Sequence, residues 1–139
     1  MWTYNQTRGW LDKDGILVSK ACYSGFGEGF NNPAMETVEG VGPICAGPWL
    51  IVGPPFTDPK LGPYVLKLVP ANLAFRARIL AMGRDPDSFR FHGKPLPPAD
   101  INSGSHGCLC GEEPTRCQVY QSGDTALDVI SGLFPPDVA

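Results

Sequence analysis

Short runs of alternating apolar and polar residues dominate the start of the chain. In "WTYNQTRGWLDKDGILVSKACYSG", Trp2, Tyr4, Trp10, Ile16 and Val18 fall in such runs, and Asp14-Gly15 is a hairpin turn signal. The pattern predicts a β-meander. Residues 25–43, "GFGEGFNNPAMETVEGVGP", have little apolar periodicity and are rich in Gly and Asn, which predicts a long loop of the kind that often carries function. "GPWLIVGPPF" follows as a buried strand over 49–52, ended on both sides by prolines.

Alternation returns in "GPYVLKLVP", with Tyr64, Leu66 and Leu68 on one face and Val65, Lys67 and Val69 on the other. "ANLAFRARILAMGR" is rich in helix formers and predicts a helical turn or two. "FRFHG" predicts a strand that points Phe89 and Phe91 inward and delivers His92 at its end. "CQVYQSG" and "DTALDVI" read as a closing pair of strands around a Ser-Gly turn. The expectation is a mainly β protein, a single domain over 1–139 with at most a short helix.

Composition agrees with a packed domain: 42% of the 139 residues are apolar and 18% charged. Seventeen glycines and fifteen prolines, spread without a period, imply many turns between short strands. A net charge of -3, with eleven Lys and Arg residues in no long run, argues against nucleic acid or an anionic membrane as partner. No apolar stretch approaches the ~20 residues of a membrane span. "MWTYNQTRGW" lacks the basic and apolar regions of a secretory signal peptide.

The densest chemistry lies in "SGSHGCLCGE", residues 103–112. Cys108 has three readings. Zinc would draw on His92, His106, Cys108, Cys110 and Cys117, although Cys108 and Cys110 are spaced more closely than common structural ligands. A disulfide is easiest between Cys110 and Cys117, across the turn-like "GEEPTR". A nucleophile is favoured by Ser105-His106-Gly107-Cys108, which joins a hydroxyl, an imidazole, a flexible backbone and a thiol. Gly107 lets neighbouring N–H groups converge as an oxyanion hole requires, and His92, sixteen residues upstream of Cys108, is placed to act as base. An isolated histidine is more often an ordinary polar residue; two beside an unpaired cysteine favour catalysis.

These same residues carry a family resemblance. "F-x-F-H-G" followed by "S-H-G-C" resembles the L,D-transpeptidase signature. The wider chain resembles the short L,D-transpeptidase-like effectors of type VI secretion in "WTYNQTRGWL", the "NNPAM" and "GPI" loop, "GPYVLKLVP", "MGR" and the "RCQVYQSGDTALDVI" tail. The resemblance implies an L,D-transpeptidase-like β-sandwich or barrel and a cofactor-free, metal-free enzyme acting on peptidoglycan stem peptides. Its thiolate would attack the amide between the L-centre of diaminopimelate and the terminal D-Ala of a tetrapeptide. Water would then release a tripeptide, or a free D-amino acid would replace D-Ala.

Carried over, Cys108 is the nucleophile and His92 the general base. The Gly93 carbonyl orients the His92 ring, the N–H groups of Gly107 and Cys108 hold the oxyanion, and Ser105 supports the loop or the imidazole. His106 lies behind the reacting groups rather than among them. Arg84 is placed to meet a substrate carboxylate, with a surface ion pair to Asp85 or Asp87 as the alternative; Tyr64 lines the groove, or is partly buried core. The chain departs from the family at "KPLPPADIN", where Lys94 stands near the substrate, and at Cys45, where proline is usual. Cys22 with Cys45 and Cys110 with Cys117 then have two readings: disulfides of an oxidising periplasm that leave Cys108 free, or four small buried residues. The resemblance further implies delivery into a neighbour's periplasm without a signal peptide, a secretion-apparatus component as partner, and a cognate immunity protein. The rival readings are a phage or housekeeping cell-wall enzyme of the same chemistry, and a non-catalytic binding module stapled by zinc or disulfides.

Overall fold

Nine strands assemble into one mixed sheet of order β3-β2-β1-β9-β5-β6-β7-β8-β4. The structure, a computed structural model, describes residues 1–93 and 104–132, with side chains for all of these except 104–106. The meander forms as its pattern predicts: β1 (Trp2–Asn5), β2 (Trp10–Lys13) and β3 (Ile16–Ser19) pair antiparallel. Asp14 and Gly15 take φ of 49° and 84°, the two left-handed positions of the tight hairpin turn. Trp2, Tyr4 and Leu11 enter the core, whereas Ile16, on the edge strand, is exposed.

β4 (Tyr23–Phe26) forms the opposite edge. After it, the long loop folds into two 3₁₀ turns, at Gly27–Gly29 and Pro33–Met35, before β5 (Gly47–Asp58). β5 overturns the short strand bounded by prolines, because it continues through Pro54 and Pro55. Its register with β6 (Gly62–Pro70) shifts between Val52 and Phe56, so the prolines sit where the ladder asks for no N–H. Trp49 and Ile51 are buried while Leu50 and Val52 are half-exposed, the alternation of a strand with one face on the core.

The chain is mainly β as expected, with two short helices. α1 (Leu73–Ala81) starts at Asn72, whose side chain accepts the Phe75 N–H as a cap. Phe75 and Ile79 are buried, and Phe75 meets Trp49 edge-on at 5.2 Å, with Phe89 also against Trp49 at 4.9 Å. α2 (Glu113–Gln121) replaces the expected strand at "CQVYQ". Pro114 in its first turn presets the backbone and lacks the N–H that would otherwise go unpaired there. Arg116 and Val119, three residues apart, form its buried face.

The short strand β7 (Arg90–His92) positions the site. It runs antiparallel to β6, with Leu66 opposite Phe91, and parallel to β8 (Gly104–Cys110), with Phe91 opposite Leu109 and His92 opposite Cys110. Phe91 and Leu109 are fully buried. Alternation sends Arg90 and His92, with Cys108 and Cys110, to the other face. β9 (Ala126–Ile130) closes the sheet between β1 and β5.

Candidate active site

His92 ends β7 and is 3% exposed. Its Nδ1 lies 2.6 Å from the Gly93 carbonyl oxygen, the bond the family resemblance implies. That bond assigns the ring proton to Nδ1 and leaves Nε2 with a lone pair. Burial disfavours the charged ring and holds its pKa below the usual 6.5; the Gly93 bond opposes this and the Arg116 charge adds to it. His92 is therefore a neutral imidazole at pH 7.

The sulfur against this ring is that of Cys110, 3.6 Å from both Nδ1 and Nε2. A sulfur equidistant from both nitrogens lies along neither in-plane lone-pair direction, and Nδ1 is already committed to Gly93. The pair is a packing contact. Cys110 is wholly buried, out of reach of a substrate.

Cys108 is half-buried, and its thiol points to the carbonyl of Ser88 at 3.7 Å, just before β7 begins. Burial raises its pKa above 9.0, while a backbone hydrogen bond at Arg90 and the charges of Arg90 and Arg84 act the other way. Cys108 thus sits at the start of β7 and the His92 ring at its end. They share a strand pair and a sheet face, but the described contacts do not bring thiol and imidazole together. Cys108 opens onto a cavity of about 290 Å³ shared with Glu39, Gly40, Arg84, Asp85, Ser88, Phe89 and Gly107.

Gly107 takes φ +126°, a conformation L side chains rarely adopt. The missing side chain also admits the guanidinium of Arg84, whose Nη2 would stand 2.3 Å from a Cβ there. Arg84 is only 3% exposed. Its Nη1 donates to the carbonyls of Glu36 (2.6 Å) and Pro43 (3.2 Å), its Nη2 to that of Gly42 (3.4 Å), and the ion lies over the Phe89 ring. Arg84 thus fastens the 36–43 loop over β8. The surface ion pair goes instead to Arg76, which grips Asp87 through both guanidinium ends at 2.7 and 2.8 Å.

Ser24 ties the same loop to β8. Its hydroxyl donates to the Cys108 carbonyl at 2.9 Å and accepts the Ile44 N–H at 2.8 Å. Buried Gln6 donates to the Ile44 carbonyl at 2.7 Å, and the Glu36 carboxylate accepts the Ala46 N–H at 3.0 Å. Neither Ser24 nor Gln6 stood out in the sequence, because their partners lie 20 to 84 residues away.

Arg116 was also missed. It is 4% exposed, and from α2 its Nε donates to the Gly111 carbonyl (3.1 Å) and its Nη1 to those of Pro63 (2.9 Å) and Tyr64 (2.7 Å). A Cβ on Gly93 would stand 2.7 Å from its Nη2, so Gly93 serves His92 with its carbonyl and Arg116 with its bare Cα. Tyr64 takes φ +54° and sets its ring edge-on to Tyr120 at 6.4 Å, lining an open cleft with Phe56 and Pro63. The cleft it lines shares no residue with the cavity at Cys108. Ser105 and His106 lie in β8 by backbone; their side chains, like Lys94, are outside the described residues.

No disulfide joins any of the five cysteines, which sets aside the Cys22–Cys45 and Cys110–Cys117 bridges in favour of separately placed thiols. Cys110 is enclosed against His92, while Cys117 lies on α2 beside Tyr64. Cys22 and Cys45 are buried separately, each with its thiol pushed up to about 11 by burial. Among the described residues, no three His, Cys, Asp or Glu side chains cluster closely enough to hold a metal ion. Compared with protein-family models, curated proteins and solved structures, the chain finds no match in any of the three.

Proposed function

We propose that the protein is a peptidoglycan-modifying cysteine enzyme, an L,D-carboxypeptidase or L,D-transpeptidase, with Cys108 as nucleophile and His92 as general base. The observation that carries this reading is the 2.6 Å bond from His92 Nδ1 to the Gly93 carbonyl. It prepares a neutral imidazole with Nε2 unprotonated, the form a general base needs. The half-exposed thiol of Cys108 on the adjacent strand supports the assignment, as does the Gly107 conformation beside it.

With the thiol's pKa raised and the imidazole's lowered, the resting pair is neutral. Attack then requires the Cys108 proton to pass to His92 as sulfur bonds to the substrate carbonyl carbon. The thiol must leave Ser88 and turn along β7, a step about its single side-chain torsion. Catalytic hydrogen bonds are often long before substrate binds and tighten with it. The tetrahedral oxyanion collapses, the C–N bond breaks, and His92 returns its proton to the departing D-Ala amine. Water resolves the thioester to a tripeptide, or the amine of a D-amino acid resolves it by exchange.

Arg84, Ser24 and Gln6 act as positioning residues, holding the 36–46 loop against β8. On the same resemblance, the protein works in the periplasm of a target bacterium, delivered by a contractile apparatus and neutralised in its producer by an immunity protein. Intact-protein mass spectrometry with a tetrapeptide stem tests the chemistry: an adduct of one tripeptide acyl group, mapped to Cys108 and absent in Cys108→Ala, supports it. An adduct at another cysteine, or none while product forms, overturns it.

A further inference from the structure

A second cavity, about 480 Å³, lies beyond the C-terminal ends of β7 and β8, at Gly93 and Gly111, and is lined also by Ala21, Tyr23, Glu112, Glu113 and Arg116. Arg116 is more than nine-tenths buried, yet only Nε and Nη1 are used by the fold, on three carbonyls. Nη2 donates to none of the described residues and sits at the bare Cα of Gly93, on the cavity wall. A guanidinium nitrogen that opens onto a cavity and donates to none of the described residues offers its N–H groups to an anionic acceptor.

The lining also carries two carboxylates, on Glu112 and Glu113 at the start of the helix that holds Arg116, and the Glu113 charge acts on the guanidinium. Glu112 and Glu113 are exposed, and the Glu112 side chain caps no helix N–H. A simple anion would meet Arg116 and be repelled by two carboxylates. A simple cation would meet the carboxylates and be repelled by Arg116. A group carrying both charges a few bonds apart satisfies both kinds of side chain in the lining. Gly93 places this cavity next to the residue that orients His92.

We propose that this cavity is a subsite for a zwitterionic α-amino-acid head group, its carboxylate on Arg116 Nη2 and its ammonium toward Glu112 and Glu113. The choice of ligand rests on the peptidoglycan reading, which offers two sources of that chemistry: the free second centre of diaminopimelate in a stem, and a free D-amino acid arriving as acceptor.

Binding is read without turnover, by NMR titration of the labelled full chain with meso-diaminopimelate, D-alanine and, as a control lacking the ammonium, N-acetyl-D-alanine. The expected result is saturable shifts at the Arg116 side-chain N–H and at Gly93 and Gly111 amides for a zwitterion, and none for the acetylated control. Arg116→Ala also strips three carbonyls of their donor, so two variants that leave those bonds intact carry the test. Ala21→Trp fills the cavity, and Glu112→Gln with Glu113→Gln removes its carboxylates. Each weakens binding by tenfold or more. Binding of the control as tightly as D-alanine, unchanged binding in both variants, or no saturable binding of either zwitterion overturns the proposal. Tighter binding of diaminopimelate, with kcat/KM of Ala21→Trp reduced on diaminopimelate stems and unchanged on lysine stems, assigns the stem. D-Alanine binding with only exchange reduced assigns the acceptor. Failure of Cys108 chemistry on peptidoglycan would sink the enzymatic reading while leaving the titration to judge the cavity.

Discussion

Gly107 and Arg84 share one space: a Cβ on residue 107 would stand 2.3 Å from Arg84 Nη2. The backbone freedom of one residue and the buried charge of the other are therefore a single feature, placed beside Cys108. Gly107→Ala must strain φ +126° and displace a guanidinium held by three carbonyls. It is expected to lose at least about 2 kcal/mol of stability, more than backbone strain alone at a left-handed site. Gly15→Ala is the control: φ is +84° but nothing lies within 4 Å of the added Cβ, so about 1 kcal/mol is expected. Urea unfolding of the two variants compares them; equal losses would separate Gly107 from Arg84.

Arg84→Met keeps much of the side-chain length and removes the donors. The Glu36, Gly42 and Pro43 carbonyls then lose their shared partner, and a cost of about 2–4 kcal/mol is expected from unsatisfied buried groups. Hydrogen exchange localises the effect: the amides of Ile44 and Ala46 should exchange at least tenfold faster, while those of β1 and β9 keep their protection relative to the lowered global stability. Uniform acceleration across the sheet would mean that Arg84 does not hold this loop in particular.

Burial sets the resting protonation of the expected dyad. His92 is held below 6.5 and Cys108 above 9.0, so the thiol is protonated at pH 7. Iodoacetamide alkylation at Cys108 should therefore rise about tenfold per pH unit from 6 to 8.5. Activity should lose its acid limb only below pH 6.5, where His92 gains a proton. A rate flat from pH 5 to 8 would reveal a thiolate–imidazolium pair instead.

Cys22 and Cys45 make stability fall in alkali. Their thiols ionise at about 11 in the native chain and at 9.0 when unfolded, so between those values the unfolded chain binds fewer protons. Stability present below pH 9 is lost as pH rises toward 11, on the order of 2 kcal/mol per thiol. Tyr4 and Tyr23, both raised by burial, act in the same direction above pH 10. Urea midpoints at pH 8, 9 and 10 measure the slope, which should shrink in Cys45→Ala. A pH-independent midpoint would contradict two buried free thiols.

Local signals were legible where local chemistry decides. Asp14-Gly15 marked its hairpin, alternation marked β6, and His92 stood at the end of its strand, while Gly93 as its partner came only from the family resemblance. α2 was misread because Val119 alternates with its neighbours as a strand residue would, while the helix start at Pro114 outweighed that alternation. The roles of Arg84 and Arg116 were not legible: their acceptors are backbone carbonyls, which leave no mark in sequence, and those of Arg84 lie 41 to 48 residues away. The Cys110–His92 contact follows from parallel register, which no turn between the strands announces.

That contact makes the choice of cysteine the central question. The direct measurement is mass spectrometry of muropeptides after incubation with the wild-type chain, Cys108→Ala and Cys110→Ala, with and without a free D-amino acid. The account predicts Cys108-dependent conversion of tetrapeptide to tripeptide or replacement of D-Ala, a loss of at least about 1000-fold in Cys108→Ala, and turnover retained in Cys110→Ala. Unchanged muropeptides from the folded wild type, or activity that survives Cys108→Ala and disappears with Cys110→Ala, would contradict it.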